Sequence, residues 1–181
     1  MKTNINYEIK TERLFIRPYA EEDVPSVFKV LSAHPEITKW MLFDPPKNIE
    51  ETREFFIQCQ KNFPDNGIVF CIFEDNKFAG IAGLEFETQK YGTKVISSRL
   101  GYWLDPVFQG RGIMTEAAKA VIDFAFNSLG THKIETGHFV VNPTSGRVIE
   151  KCGFRKVGIK EKHYFREGEW QDHVEYELVR P

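Results

Sequence analysis

The 181-residue sequence is long enough for one domain with a substantial core and too short for two ordinary domains, so we expect a single domain over residues 1–181. Hydrophobic residues make up 41% and charged residues 28%, which is typical of a folded globular protein rather than a disordered one. A net charge of −2 gives no electrostatic basis for binding nucleic acid or an anionic membrane. Because residues 1–6 lack an apolar signal core and no run approaches membrane-spanning length, we expect a cytoplasmic protein.

The chain begins with a predicted strand and a predicted helix. Residues 13–17 show the two-residue period of a half-buried strand, and Pro18 helps to end it. The pattern after Asp23 predicts a helix with Pro25 in its first turn and Pro35 at its end. The apolar positions at helical spacing are Val24, Val27, Phe28 and Leu31.

A second helix and a hairpin follow. Asn48 is a typical N-cap residue, and Glu51 stands three positions on as its capping-box partner. Residues 64–67 predict a turn after this helix, and residues 68–73 and 78–86 predict two strands of an antiparallel hairpin. The expected buried stripe of the second helix consists of Phe55, Phe56, Cys59 and Phe63.

The second half of the chain alternates strands and helices. Strands are predicted at residues 95–104 and 134–141, and helices at residues 114–129 and 142–153. Residues 154–179 predict two further strands joined by a turn. This order predicts an α/β protein with a mixed, mostly antiparallel central sheet and flanking helices.

Cysteine and histidine patterns argue against disulfides and metal. Cys59, Cys71 and Cys152 are isolated and odd in number, which favours reduced thiols, each packed as a small hydrophobic side chain. The five histidines show neither the HExxH spacing nor a pattern of cysteine partners. We therefore predict no metal site.

The glycine-rich bend over residues 109–114, Gln-Gly-Arg-Gly-Ile-Met, carries the clearest chemistry. It lies between a predicted strand and a predicted helix, whose first backbone amides have no partner within the helix and whose dipole is positive at that end. Gly110 and Gly112 permit the positive φ that a tight nest of amides needs. The bend therefore predicts a phosphate-binding site. It lacks the Gly-Lys-Ser/Thr ending of a Walker loop and the three glycines of a dinucleotide fingerprint.

Three segments together resemble the GNAT acetyltransferases, whose Gln/Arg-x-x-Gly-x-Gly/Ala loop cradles the pyrophosphate of acetyl-coenzyme A. The first segment, residues 101–117, contains the bend, with Met114 in place of the final Gly/Ala. The second is residues 142–154, and the third combines residues 11–14 with residues 168–173. The sequence is similar to the branch that includes RimJ and RimL, which acetylate protein N-terminal amines. The resemblance implies the GNAT fold and acetyl transfer from acetyl-CoA.

The resemblance also implies which residues bind acetyl-CoA. In that family the strand before the loop splays from the next strand, and its exposed backbone binds the acetyl carbonyl and the pantetheine arm. By position, Trp103 and Leu104 would take this role, and Asn142 would contact the same arm. The loop amides would bind the pyrophosphate, with a hydroxyl from Thr115 and a positive charge from Arg111. The implied set is Trp103, Leu104, Gln109, Gly110, Arg111, Gly112, Ile113, Met114, Thr115 and Asn142.

The proton transfers are less conventional. Many GNAT enzymes protonate the departing thiolate with a Tyr in the helix where this sequence has Ile149, so Ser145, or a water that it orients, is the candidate acid. A free amine is largely protonated near neutral pH, and a general base is therefore useful. Many relatives carry a Glu where this sequence has Arg99; Glu85 and His138 are the candidate substitutes. A water chain that ends at a backbone carbonyl or a remote carboxylate is the alternative.

The acceptor is less well defined than the donor. The branch implies a protein N-terminal α-amine, attacked directly in a ternary complex, because no cysteine adjoins the loop or an activating base. Alternatives are a small amine, such as an amino acid, polyamine or aminoglycoside, and a non-catalytic acyl-CoA sensor. Residues 40–43, Trp-Met-Leu-Phe, are expected to form one wall of the acceptor site. Both a monomer and a homodimer are compatible with the sequence.

Overall fold

The computed structural model of the protein describes residues 5–61, 66–88 and 95–180. The described strands are β1 (Ile9–Lys10), β2 (Leu14–Pro18), β3 (Gly67–Glu74), β4 (Lys77–Thr88), β5 (Val95–Leu104), β6 (Lys133–Phe139), β7 (Arg155–Arg166) and β8 (Glu169–Val179). The described α-helices are α1 (Val24–Ala33), α2 (Ile49–Lys61), α3 (Ile113–Phe124) and α4 (Pro143–Lys151). A 3₁₀ segment, Pro35–Trp40, follows α1, and a π segment, Ala125–Leu129, extends α3.

The strands form one sheet in the order β1-β2-β3-β4-β5-β6-β8-β7. All neighbouring pairs are antiparallel except β5 and β6, which are parallel. Parallel neighbours need a long crossover, and α3 provides it. The predicted mixed, mostly antiparallel sheet with flanking helices is confirmed, and the short strand β1 is an addition to the predicted order.

Helices cover both faces of the sheet and form two cores. On one face, α3 and α4 bury residues such as Ile113, Val121 and Ile149 against the sheet. On the other face, α1 and α2 pack residues such as Val27 and Phe56 onto it. The α3/α4 core is the larger of the two described clusters, and the α1/α2 side leaves room for a cleft beside it.

Most predicted element ends agree with the structure within two residues. The β3–β4 hairpin turns at Asp75 and Asn76, whose φ values of 48° and 61° suit a type I′ turn, in which both central residues have positive φ. Helix α3 begins at Ile113, one residue earlier than predicted, and the following π segment ends at Gly130 with φ 75°. Strand β6 ends at Phe139 instead of residue 141, because the amide of Asn142 donates to the Phe139 carbonyl and closes a turn.

Two details of the helices differ from the prediction. The side chain of Phe28 is only partly buried, and Val30 takes a place in the α1 core instead. In α2, Phe56 is fully buried, whereas Phe55 is 48% exposed because it points to the cleft rather than to the core. Phe63 and the first half of the predicted turn at residues 64–67 lie outside the described residues. In the described part of the chain, no helix is both long and apolar enough to cross a bilayer.

Candidate active site

The parallel strands β5 and β6 separate halfway along their length. Among the described residues, their register ends at the pair Arg99–Glu135. Just beyond it, the hydroxyl of Thr136 donates to the Leu100 carbonyl at 2.8 Å, and the strands then diverge. Strand β5 continues to Leu104 with β4 paired on its other side, so its β6 edge faces a gap. The strand separation that the resemblance implied is therefore present.

The glycine-rich bend closes one end of this gap. Gly110 and Gly112 have φ values of 75° and 78°, which confirms the left-handed backbone predicted from the sequence. Gly112 is the N-cap of α3, and the amides of Ile113 to Thr115 form the start of the first helical turn. A pyrophosphate placed here would meet several backbone donors and the positive end of the α3 dipole.

Two side chains from the turn before β2 brace the bend. Arg13 donates through Nε to Glu116 at 2.8 Å and through a terminal nitrogen to the Arg111 carbonyl at 3.2 Å. Thr11 donates its hydroxyl proton to the same Glu116 carboxylate at 2.5 Å. Although burial raises the pKa of Glu116, the hydrogen bonds from Thr11 and Arg13 hold it below the ordinary value. Residues 11–14, quoted above only for their resemblance, therefore have a physical role in positioning the bend.

The side chain of Arg111 is held in an ion pair beside the bend. Its guanidinium forms a two-point ion pair with Glu74 at the end of β3, at 2.8 and 3.0 Å. Glu74 is buried, whereas Arg111 is half exposed. The positive charge is therefore already compensated, and Arg111 is not among the residues that line the cleft. The other predicted acetyl-CoA-binding residues all line it.

The departure from the family pattern at Met114 is accommodated by the core. Met114 is only 7% exposed and packs in the α3/α4 core, while its backbone still lies in the first turn of α3. Gln109 donates its side-chain amide to the Leu104 carbonyl at 3.2 Å and so ties the bend to the end of β5. Met114 thus changes the packing beneath the bend without removing the left-handed glycines before it.

A pair of hydroxyl groups stands at the start of α4. Asn142 caps this helix, and its side-chain oxygen accepts the amide of Ser145 at 3.4 Å. The hydroxyl of Tyr102 on β5 lies 3.1 Å from the Ser145 hydroxyl and donates to the Ser145 carbonyl at 3.0 Å. Burial raises the pKa of Tyr102, so its phenol stays protonated. Ile149, at the position of the usual family Tyr, is buried in the core.

Sequence reasoning did not assign a role to Tyr102. It belongs to the Gly-Tyr-Trp-Leu segment that carries the resemblance, but its partner on α4 is 43 residues away. The contact depends on how far β5 and α4 converge, which no local pattern reports. Tyr102 therefore supplies a phenol next to Ser145 although the helix itself lacks one.

A cleft of about 1350 Å³ extends from the bend across the α1/α2 face of the sheet. Its floor includes Gly83 on β4 and Gly101 on β5, which are directly opposite each other in register. A Cβ at Gly101 would meet nothing within 4 Å, so the space above this part of the floor is open. The absence of side chains here leaves room for an acceptor to approach the donor end.

The predicted acceptor wall lies on the opposite side of the cleft. Residues 40–43 line it together with the exposed ring of Phe55. Arg166 at the end of β7 holds this segment, because its guanidinium donates to Asp44 at 3.0 Å and to the Thr38 and Phe43 carbonyls at 3.1 and 3.4 Å.

The candidate bases fall in different places. Glu85 lines the cleft from its exposed rim, directly opposite Arg99 in register. His138 turns instead toward α4 and Tyr176, and its Nε2 lies 2.6 Å from the position of a Cβ on Gly146. The structure thus brings Ser145 and Glu85 into the cleft but not His138. His173, which sequence reasoning passed over, does line it.

These groups fit an elongated thioester that carries a pyrophosphate. The free edge of β5 suits an extended amide-containing arm, and the positive-φ glycines with the first amides of α3 suit the diphosphate. The donor set contains neither a Walker lysine nor a dinucleotide fingerprint. Fold and site together define a coenzyme A-dependent acyltransferase.

Comparisons with known proteins agree with this class. A family model described as an acetyltransferase (GNAT) domain matches residues 13–155. The chain is 45% identical over 82 residues to the probable N-acetyltransferase YjcK of Bacillus subtilis (strain 168), an alignment that covers 45% of each chain. It is 33% identical over 82 residues to the [ribosomal protein uS5]-alanine N-acetyltransferase of Escherichia coli (strain K12), which covers 45% of this chain and 42% of that one. Both alignments span less than half of the relative's length.

A solved structure shows the same fold over nearly the whole chain. RimL, a ribosomal L7/L12 alpha-N-protein acetyltransferase in complex with coenzyme A, superposes with a TM-score of 0.85 at 21% identity, over 95% of this chain and 97% of that one. The chain belongs to the GNAT acetyltransferase family, as the sequence predicted. It is an enzyme of the acetyl-CoA-dependent N-acetyltransferase class.

Proposed function

We propose that the protein transfers the acetyl group of acetyl-CoA to the N-terminal α-amine of a protein, by direct attack in a ternary complex. The observation that carries this proposal is the single cleft that joins the glycine-rich bend to an open floor at Gly83 and Gly101. The E. coli relative is named for acetylation of an alanine of ribosomal protein uS5, which favours an N-terminal peptide as the acceptor class.

The lining of the acceptor half favours a single cationic amine over a polycation. Glu36, Asp44, Glu51 and Glu85 line this half, but Lys39 and Arg99 lie among them. The charge of Asp44 is matched by Arg166. A polyamine would have to place one of its charges near Arg99, whereas a peptide N-terminus carries one charge followed by neutral amides.

Acetyl-CoA supplies the acetyl thioester when it is bound. In this proposal the β5 edge at Trp103 and Leu104 holds its acyl arm together with Asn142, and the bend from Gln109 to Thr115 holds its pyrophosphate through backbone amides. Because Glu74 compensates its charge, Arg111 contributes through its backbone and by holding the bend to β3.

Ser145 is the proposed proton donor to the departing thiolate. Tyr102 positions it, because its phenol lies 3.1 Å from the Ser145 hydroxyl and donates to the Ser145 carbonyl. When the phenol donates its single proton to the Ser145 hydroxyl oxygen instead of the carbonyl, the serine proton can move toward sulfur at a defined position. The buried Ile149 leaves this role to the Ser145–Tyr102 pair.

Glu85 and His138 are the two side chains that the sequence named as candidates for the general base. Glu85 lies on the rim of the cleft, where it would accept the acceptor proton directly or through water. His138 is packed beside Tyr176 and α4, so its action would need a relay. A pH profile of kcat/KM for Glu85→Gln and His138→Ala tests both, and an unchanged acidic limb in both variants eliminates them.

A cysteine-linked intermediate is not part of the proposal. Burial raises the pKa of Cys59, Cys71 and Cys152, that of Cys152 to about 11, which keeps these thiols protonated and weakly nucleophilic. All three are free in the structure, in keeping with the cytoplasmic location that we propose.

A thiol-release assay with acetyl-CoA and a panel of acceptors tests the proposed function. Peptides with free N-terminal Ala or Ser, spermidine, lysine and an aminoglycoside form the panel, and N-acetylated copies of the peptides are the matched controls. Release that requires a free peptide N-terminus is the expected result. Faster release with a small amine would support the small-amine alternative, and binding of acetyl-CoA without release on any acceptor would support a sensor.

A further inference from the structure

The floor of the cleft contains a histidine on β8 that is held by an ion-paired carboxylate. His173 is 6% exposed and lines the cleft. Its Nδ1 lies 2.9 Å from Oε1 of Glu175 on the same strand. We propose that His173, oriented by Glu175, is the general base that removes the proton from the acceptor amine. This inference rests on the proposed N-acetyltransferase function.

The state of the imidazole follows from the carboxylate beside it. Burial raises the pKa of Glu175, but the hydrogen bond from Lys160 and the charge of Arg99 bring it below the ordinary value. Glu175 is therefore ionised at neutral pH and can only accept hydrogen bonds. The proton of a neutral His173 must then lie on Nδ1, and Nε2 keeps the lone pair. No described residue hydrogen-bonds to this Nε2.

The surroundings of His173 keep it neutral. Its pKa is lowered from the ordinary value of 6.5, first by burial and further by the positive charge of Arg99 and by the nearby imidazole of His138, against the opposing effect of Glu175. Lys160 on β7 stands opposite His173 in register and pairs with Glu175 at 3.1 Å. A neutral imidazole with a free Nε2 in a cleft is the form that a base needs at pH 7.

The position of the ring is fixed by packing as well as by charge. A Cβ at Gly137 would lie 2.3 Å from Cε1 of His173, so residue 137 on β6 must be glycine for the ring to lie there. Phe139 and Tyr164 contact the ring edge-on, with centroids 5.3 and 5.1 Å away. The ring is therefore held by the sheet itself and not by a loop.

Arg99 connects this arrangement with the departure from the family pattern. Its guanidinium lies 3.4 Å from Oε2 of Glu175 and faces the cleft between Glu85 and the histidine. Arg99 is a cation that helps to keep Glu175 charged and His173 unprotonated.

The proton transfer balances without any further reactant. The proton on the acceptor nitrogen moves to Nε2 of His173, directly or through one water, and the freed amine forms the C–N bond to the acetyl carbon. The C–S bond breaks, the thiolate takes a proton from Ser145, and the second proton that the attacking nitrogen must lose to become an amide passes through water to restore Ser145. His173 then returns its proton to solvent.

The test is the pH dependence of kcat/KM for the acceptor in three variants. His173→Gln should lower kcat/KM at pH 7 by about 10² to 10⁴-fold and remove the acidic limb. Glu175→Gln removes a charge that raises the histidine pKa, so the limb should move to lower pH. Arg99→Met removes a charge that lowers it, so the limb should move to higher pH. The matched control, His132→Gln, replaces an exposed histidine and should leave the profile unchanged.

A nitrogen-15 NMR titration of the same proteins separates this proposal from the proposed function. It should show His173 as the Nδ1–H tautomer, with a pKa below 6.5 that falls in Glu175→Gln and rises in Arg99→Met. Retention of the acidic limb and of wild-type kcat/KM in His173→Gln would overturn the base assignment, as would an Nε2–H tautomer. If no acceptor is acetylated by the wild type, the proposed function fails, and the base role fails with it whatever the tautomer.

Discussion

The proposed donor and acceptor halves of the cleft are built from different chemical groups. The donor half, from the β5 edge to the bend at residues 109–115, relies on backbone amides whose direction is set by Gly110 and Gly112. The acceptor half relies on side chains such as Phe55, Arg99 and His173. A ligand that is bound by backbone amides tolerates most changes of side chain, whereas a ligand that is bound by side chains depends on the identity of each residue. We therefore expect substitutions to affect the acceptor half selectively and the donor half only where backbone geometry changes.

After His173→Gln, the largest effect is expected where the two halves meet, at Ser145. Ser145→Ala should lower kcat by about 10²-fold while the KM for acetyl-CoA stays within about twofold, because the hydroxyl acts on the departing sulfur rather than in binding. Tyr102→Phe should lower kcat by about tenfold. The effects of the two changes should be less than additive, because both act through one hydroxyl pair.

Steady-state kinetics with saturating acceptor measures both parameters. Ser32→Ala, an exposed serine on α1, is the control. A kcat for Ser145→Ala equal to that of the wild type would show that the acid is another group or water.

The second prediction concerns the backbone of the donor half. Gly112→Ala forces a Cβ into a φ of 78°, which costs roughly 1–2 kcal/mol. The bend should relax away from this geometry, and the KM for acetyl-CoA should rise about tenfold with little change in the KM for the acceptor. Gly158→Ala is the matched control, since its Cβ has open space and its φ is not positive. Equal rises in both KM values would mean that the halves are not separable.

The contrast between backbone and side-chain recognition explains what could be predicted from the sequence. The left-handed glycines, the cap at Asn142 and the β3–β4 hairpin depend on local conformational preferences, and the structure confirms each of them. The contact of Tyr102 with Ser145 and the pairing of Arg111 with Glu74 join segments far apart in the chain.

The register between β6 and β8 determines which histidine faces the cleft. His173 reaches the cleft because β8 places it beside β6 with Gly137 beneath the ring. His138 lies on β6 itself, yet its side chain turns to α4. A shift of one residue exchanges the two faces of a strand, and the amino-acid pattern of β6 and β8 does not fix that shift. Sequence reasoning consequently named the histidine on the neighbouring strand.

A third, smaller effect is expected at the acceptor wall. Arg166→Met removes the hydrogen bonds to Asp44 and to the Thr38 and Phe43 carbonyls, so the wall should become more mobile. The KM for the acceptor should rise about three- to fivefold, which corresponds to roughly 1 kcal/mol, while the KM for acetyl-CoA stays unchanged. The Nε of Arg166 is buried without a partner among the described residues, which offsets part of the stability lost with the three hydrogen bonds.

The exposed Arg155, which is on β7 like Arg166, provides the control for the Arg166→Met prediction. Its ion pair with Glu177 lies away from the cleft, and Arg155→Met should leave both KM values unchanged. A rise in the acetyl-CoA KM of Arg166→Met would show that the wall also serves the donor.

The smallest effect is expected for the ion pair that braces the bend. The pKa of Glu116 is lowered from 4.5 in the folded protein, so its stabilising charge is present above that value and is lost as the pH falls through the lower folded value. Glu116→Gln should reduce the free energy of unfolding at pH 7 by less than about 1 kcal/mol, because Arg13 is 40% exposed. Urea unfolding should show this difference shrinking below about pH 4.5, and the KM for acetyl-CoA should change by less than about twofold. A tenfold rise in that KM would mean that the brace, and not the glycine geometry, shapes the donor half.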